Sequence, residues 1–156
     1  TRGSSHDEYA AYTEDNEAYE RCMTRLSRKW ETAKTLVPPP QIDIRDNSKS
    51  HGVIFYGTST LAALEAIDDL KQKGIDLNIM RLKSFPFQPE VRAFIDDHKK
   101  IFVIEQNRDA QMRTLLINEL GVESGKLLSV LHFDGTPIDA DSIIRSIEDF
   151  TSKGGA

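Results

Sequence analysis

From Gln41 to Phe150, short apolar runs alternate with stretches of helical period, and that alternation constrains the fold more than anything else in the chain. His51-Gly52-Val53-Ile54-Phe55-Tyr56 is nearly continuous in apolar character, as expected of a strand covered on both faces. Leu77-Asn78-Ile79-Met80-Arg81-Leu82, Ile101-Phe102-Val103-Ile104-Glu105 and Leu127 to Phe133 read as further strands. Between them Leu61, Leu64, Ala66, Ile67 and Leu70 recur at helical spacing, closed by Gly74. Pro89 opens a short helix reaching His98, Ala110 to Leu120 reads as a helix ending at Gly121, and Ile143, Ile144, Ile147 and Phe150 mark a last one. Gln41-Ile42-Asp43-Ile44-Arg45 alternates polar and apolar residues in the manner of a half-exposed edge strand. Strands joined through helices need crossover connections, which place helices on both faces of a mainly parallel sheet. The expected fold class is α/β, a three-layer α/β/α sandwich.

Three consecutive prolines, Pro38-Pro39-Pro40, fit neither a helix interior nor a central strand and predict a stiff connector between two unequal regions. Ahead of them, Thr13-Glu14-Asp15-Asn16 supplies capping oxygens for an amphipathic helix from about Glu17 to Val37. Cys22, Leu26, Ala33 and Val37 share a face, with Trp30 close by, while Arg21, Arg25, Arg28, Lys29 and Lys34 crowd the remaining surface. A lone helix cannot bury its own apolar stripe, so this one is expected to lean on the following domain or on one outside the chain. The opening in a loop, Thr1 to Ser5, and the absence of an initial Met predict a piece of a longer protein. The small polar tail from Ser152 to Ala156 is expected to fray.

With 25 acidic against 20 basic residues the net charge is −5, which disfavours nucleic acid as the main partner. No apolar run approaches the roughly 20 residues of a membrane helix, and no secretory leader is visible, so no membrane association and a cytoplasmic location are expected. The single cysteine, Cys22, provides neither a disulfide nor the set of about four thiolates that usually holds an iron–sulfur cluster. His6-Asp7-Glu8 sets an imidazole beside two carboxylates, but consecutive residues rarely converge on one metal, and no metal site is assigned. His51, His98 and His132 are scattered and lack triad-like companions; no Gly-x-Ser-x-Gly elbow and no glycine-rich nucleotide motif is present. No catalytic and no cofactor-binding residue is therefore assigned.

Two loops stand where parallel sheets gather ligands, at strand C-termini ahead of helix N-termini. Gly57-Thr58-Ser59-Thr60 offers backbone N–H groups and hydroxyls to a small anion, or is a plain strand-to-helix turn with Thr58 or Ser59 as N-cap. Glu105-Gln106-Asn107-Arg108-Asp109, with Gln111, clusters amide and charged groups in the equivalent position, suited either to a ligand or partner or to capping the next helix. Glu105, Asn107, Arg108 and Gln111 are its candidate residues.

The stretch from Gly52 to Gln111 resembles the C-terminal, transketolase-like domain of the alpha chain of 2-oxoacid:ferredoxin oxidoreductases. The resemblance rests on Gly57-Thr58-Ser59 with Glu65-Ala66, Leu70 and Gly74, on Pro86-Phe87, and most sharply on Val103-Ile104-Glu105-Gln106-Asn107 with Gln111-Met112 and Leu115-Leu116. Gly3, His6-Asp7-Glu8, Tyr9, Glu14-Asp15 and the basic helix with Arg25, Arg28 and Lys29 resemble the segment that joins the catalytic domain to this one. The resemblance implies a five-stranded sheet of order 1-3-2-4-5 with Gln41 to Arg45 as its antiparallel edge. It implies residues 1–37 as a connecting segment from a preceding, absent catalytic domain, and residues 38–156 as the transketolase-like domain. For the complete enzyme it implies oxidative decarboxylation of a 2-oxoacid with coenzyme A and transfer of electrons to ferredoxin. Thiamine diphosphate, Mg and iron–sulfur clusters would lie in other parts of that enzyme, none in this chain. The implied partners are the preceding alpha-chain domain, the beta subunit and ferredoxin, and the implied role here is assembly. The alternative is a stand-alone α/β module binding a small anion at Gly57 to Thr60.

Overall fold

The computed structural model describes residues 5–48 and 50–152; the readings made at Thr1 to Ser4 and beyond Ser152 lie outside them. The chain divides after Val37 into two compact units.

In the first unit, helix α1 spans Asn16–Leu36, and Asp15 caps it by accepting from the N–H groups of Glu17 and Ala18. Val37 turns extended, as a residue ahead of proline must, and ends the helix. Residues 5–13 fold back as a short loop. Thr13 N–H donates to the Ser5 carbonyl, His6 bridges to Tyr12, and the Asp7 carboxylate accepts from the N–H groups of Tyr9 and Ala11. On α1 only Ala18 and Cys22 are buried, the Cys22 thiol donating to the His6 carbonyl at 3.5 Å. Leu26 and Trp30, read in the sequence as part of an apolar stripe, are 48% and 43% exposed.

The second unit holds β1 (Gln41–Asp43), β2 (His51–Tyr56), α2 (Thr60–Gln72), β3 (Asn78–Leu82), α3 (Pro89–Asp97), β4 (Lys100–Glu105), α4 (Gln111–Leu120), β5 (Leu127–Leu131) and α5 (Ala140–Ser152). The sheet order is β1-β3-β2-β4-β5, with β1 antiparallel to β3 and the other pairs parallel, as the resemblance implied. Val53, Phe55, Phe102, Ile104 and Val130 face α2 and α5 on one side; Ile54, Met80, Ile101, Val103 and Leu127 face α3 and α4 on the other. Burial of each large side chain contributes roughly 1.5–3 kcal/mol before entropy is counted, and β2 and β4 are buried on both faces. Gly52 is required by this packing. A Cβ there would sit 2.7 Å from Ile101 Cδ1 and 3.0 Å from the Phe94 ring.

Several boundaries differ from the sequence reading, each for a local reason. β1 stops at Asp43 rather than Arg45, because the N–H groups of Arg45 and Asp46 donate to the buried Asn78 Oδ1 at 2.7 and 2.8 Å. The Asn78 amide in turn reaches the Asp46 carbonyl and His98 Nε2, and His98 Nδ1 lies 2.6 Å from the Phe94 carbonyl. β5 ends at Leu131 rather than Phe133, where the chain turns and the His132 ring meets Thr136. On α2 the buried stripe is Ala63, Ala66, Ile67 and Leu70, so Leu61 and Leu64 from the predicted period face outward. Gly74 does close α2, with φ +83° and a bond from Ile75 N–H back to the Leu70 carbonyl, a Schellman ending.

β5 is a sheet edge. His132 N–H donates to the Glu105 carbonyl, so Leu128 and Val130 turn their backbone groups to β4, and Leu127, Ser129 and Leu131 turn theirs outward. The outward Leu127 carbonyl is taken by Arg113 Nε at 2.8 Å, and Arg113 Nη2 holds the Ser124 carbonyl at 2.9 Å.

Residues 38–156 alone should unfold in one cooperative transition followed by dichroism, and Ile104→Asp should abolish it by burying an unpaired charge. Gly52→Ala should lower stability by about 1–3 kcal/mol through overpacking, read as a reduced denaturant midpoint.

Candidate functional site

Parallel strands β2 and β4 are neighbours, yet the chain leaves them for opposite faces of the sheet: α2 packs on one, α4 on the other. Their C-terminal ends therefore diverge and leave the crevice in which open α/β sheets place ligands. Both loops singled out in the sequence emerge here. Gln106 ties them together, donating from Nε2 to Thr58 Oγ1 at 2.9 Å and to Ser59 Oγ at 3.2 Å. Its Oε1 accepts from Ile138 N–H, which brings in the segment leading to α5.

The Gly57–Ser59 segment forms a single 3-10 turn running into α2, with Gly57 at φ +58°. Neither Thr58 nor Ser59 caps α2 with its side chain; Thr60 Oγ1 instead donates to the Gly57 carbonyl at 2.7 Å. Ser59 is buried and Thr58 exposed.

The second loop is organised by one carboxylate. Glu105, the last residue of β4, is fully buried. Its Oε2 accepts from Met112 N–H at 2.6 Å and from Asn107 Nδ2 at 2.9 Å, and its Oε1 accepts from Arg113 N–H at 3.0 Å. The side chain thus occupies the N-terminus of α4, where free N–H groups and the helix dipole favour an anion. Asn107 Oδ1 accepts from the N–H groups of Asp109 and Gln111, and Ala110 takes a left-handed conformation, φ +49°, to swing the chain into the helix. Arg108 points outward and pairs with Asp109 at 2.8 Å; Gln111 is exposed. Tyr56, at the end of β2, has its hydroxyl pushed above the ordinary phenol value by burial and then by the charge of Glu105. The structure so brings together Thr58, Ser59, Glu105 and Asn107, and leaves Arg108 and Gln111 at the rim.

Gln106 and Tyr56 are the members of this crevice that the sequence reading passed over. Gln106 was quoted within its loop, but its contacts, 47 and 48 residues away in sequence, leave no periodic signal. His6, Asp7 and Glu8 lie in the first unit, Asp7 spent on its own turn; among the described residues no group of three or more His, Cys, Asp or Glu side chains is placed to hold a metal. No helix among the described residues is long and apolar enough to cross a membrane.

Glu105→Ala should strand two helix N–H groups, each costing about 1–3 kcal/mol when buried without an acceptor, and lower the melting temperature accordingly. Glu105→Gln, which keeps one acceptor oxygen, should fall between the two.

No family model matches the chain. The alpha subunit of a 2-oxoacid:ferredoxin oxidoreductase from Saccharolobus solfataricus is 26% identical over an alignment taking in 97% of this chain and 24% of that protein. The alpha subunit of 2-oxoacid:ferredoxin oxidoreductase 2 from Aeropyrum pernix is 22% identical over the same shares. The chain thus spans about a quarter of the length of the curated relatives it matches. Among solved structures, the 2-oxoglutarate:ferredoxin oxidoreductase from Magnetococcus marinus superposes with a TM-score of 0.79 at 19% identity, covering 92% of this chain and 25% of that one. A split-gene transketolase gives a TM-score of 0.56 at 16% identity, over 70% of this chain and 40% of its own. The resemblance and the fold class read from the sequence are both borne out.

Proposed function

We propose that this chain is the C-terminal, non-catalytic assembly domain of the alpha chain of a thiamine-diphosphate-dependent 2-oxoacid:ferredoxin oxidoreductase. The observation that carries the reading is the match to alpha subunits along 97% of the chain. The crevice supports the assembly role. Glu105 fills the anion position of α4 with the protein's own carboxylate, and Gln106 binds the Thr58 and Ser59 hydroxyls, tying the two loops together. A free-standing anion-binding module at Gly57 to Thr60 is the second reading, and the match to alpha subunits along 97% of the chain weighs against it.

In this reading the complete enzyme oxidatively decarboxylates a 2-oxoacid to its acyl-coenzyme A and reduces ferredoxin in the cytoplasm. Thiamine diphosphate with Mg and the iron–sulfur clusters belong to other parts of it. Cys22 is the chain's single cysteine, and the described residues present no donor set for a cluster or for a metal-bound diphosphate. The partners are the preceding alpha-chain domain and the beta subunit.

Titration calorimetry of the isolated chain with thiamine diphosphate and Mg is expected to give no saturable heat; micromolar binding would overturn the assignment. A complex isolated through this chain should contain, by native mass spectrometry, a beta subunit and a preceding alpha-chain domain. Recovery of the chain alone would count equally against it.

A further inference from the structure

The sheet face that carries α2 and α5 is covered only in part. Those helices lie over Val53, Phe55, Phe102, Ile104 and Val130, and beside them, at β3 and β1, the chain leaves a cavity of about 170 Å³. Phe55 and Ile79, both buried, line it. Thr60 and Leu64 of α2 form one side, the edge strand Gln41–Asp43 another, and Arg45 and Arg81 contribute the cations. Small-molecule sites typically enclose roughly 300–1,000 Å³, whereas a cavity of about 150 Å³ takes a group the size of benzene. The space suits a single side chain.

The two arginines differ in what they meet. Arg45 is satisfied twice, its Nε bonding Asp43 and its Nη1 bonding Asp68, each at 2.8 Å. Arg81 forms no ion pair with any carboxylate among the described residues. Its Nη1 donates to Gln41 Oε1 at 3.4 Å, and its Nε is buried without an acceptor. The register sets Arg81 between Gln41 on β1 and Phe55 on β2, so its side chain leaves the sheet on the face of the cavity. A buried donor without an acceptor costs stability, and more so when the group is charged. At the mouth, Leu64 and Leu61, one turn apart on α2, are both exposed.

We propose that this cavity is a docking point for another polypeptide, which inserts one glutamate side chain against Arg81 and rests an adjacent apolar side chain on Leu61 and Leu64. The carboxylate supplies the acceptor that Arg81 lacks, replaces the long contact with Gln41, and meets the planar guanidinium with two oxygens. The apolar lining from Phe55 and Ile79 lowers the local dielectric and strengthens the pair. A single anchor in a pocket with an apolar rim is the arrangement in which a few residues carry most of an interface's binding energy. The inference stands on the cavity and the arginine alone, so its failure leaves the assembly reading untouched.

The test uses the full chain and the blocked peptide Ac-Leu-Glu-Leu-NH2 as probe. Titration followed by nuclear magnetic resonance is expected to saturate in the millimolar range, shifting the Nε–H resonance of Arg81 and the amides of Gln41 and Leu64. Glutamine in place of the peptide's glutamate should weaken binding about tenfold, and Leu61→Ser in the protein about threefold. Arg81→Met should abolish the response and leave the denaturant midpoint unchanged or higher, because it removes an unpaired buried donor. A lower midpoint would make Arg81 a structural residue and overturn the proposal, as would a failure of the peptide to saturate or shifts confined to other residues. Sodium acetate binding as tightly as the peptide would overturn the polypeptide partner and assign the cavity to a free small carboxylate.

Discussion

Two strands that face no solvent dictate the architecture of the second unit. Interior residues of β2 and β4 are buried on both faces, so neither strand is free to present a binding side chain along its length. Their chemistry is confined to the strand ends, and there the polar groups are largely turned inward. At the C-terminal end Glu105, Asn107 and Gln106 bind helix N–H groups and neighbouring hydroxyls. At the opposite end Asn78 and His98 bind the loop after β1. Both networks fasten a loop to the sheet.

The strands were legible because burial on both faces leaves uninterrupted apolar runs, as in Val53 to Phe55 and Ile101 to Ile104. Helix ends with glycine in the left-handed region, Gly74 and Gly121, were legible because backbone freedom narrows the choice of residue. Side-chain capping was not. Glu105 reads in sequence as the polar end of a strand, and its bonding to Met112 and Arg113 depends on how β4 and α4 meet. The outward turn of Leu61 and Leu64 was missed for a similar reason: the buried stripe of α2 is carried partly by alanines, which signal a helix face weakly.

The chain matches about a quarter of its relatives' length, and among the described residues no group of metal-ligating side chains is placed together. The buried polar side chains Asn78, His98 and Glu105 are all hydrogen-bonded within the fold.

The guanidinium of Arg113 over the start of β5 has a further consequence. An edge strand such as Leu-Leu-Ser-Val-Leu, without a charge or a proline, is a ready template for stacking one chain on another. Here the first outward carbonyl is already spoken for, so an incoming strand meets open groups only at Ser129 and Leu131. That shortens the ladder an incoming strand could form. One arginine reaching across from α4 covers the point at which a sixth strand would begin to pair.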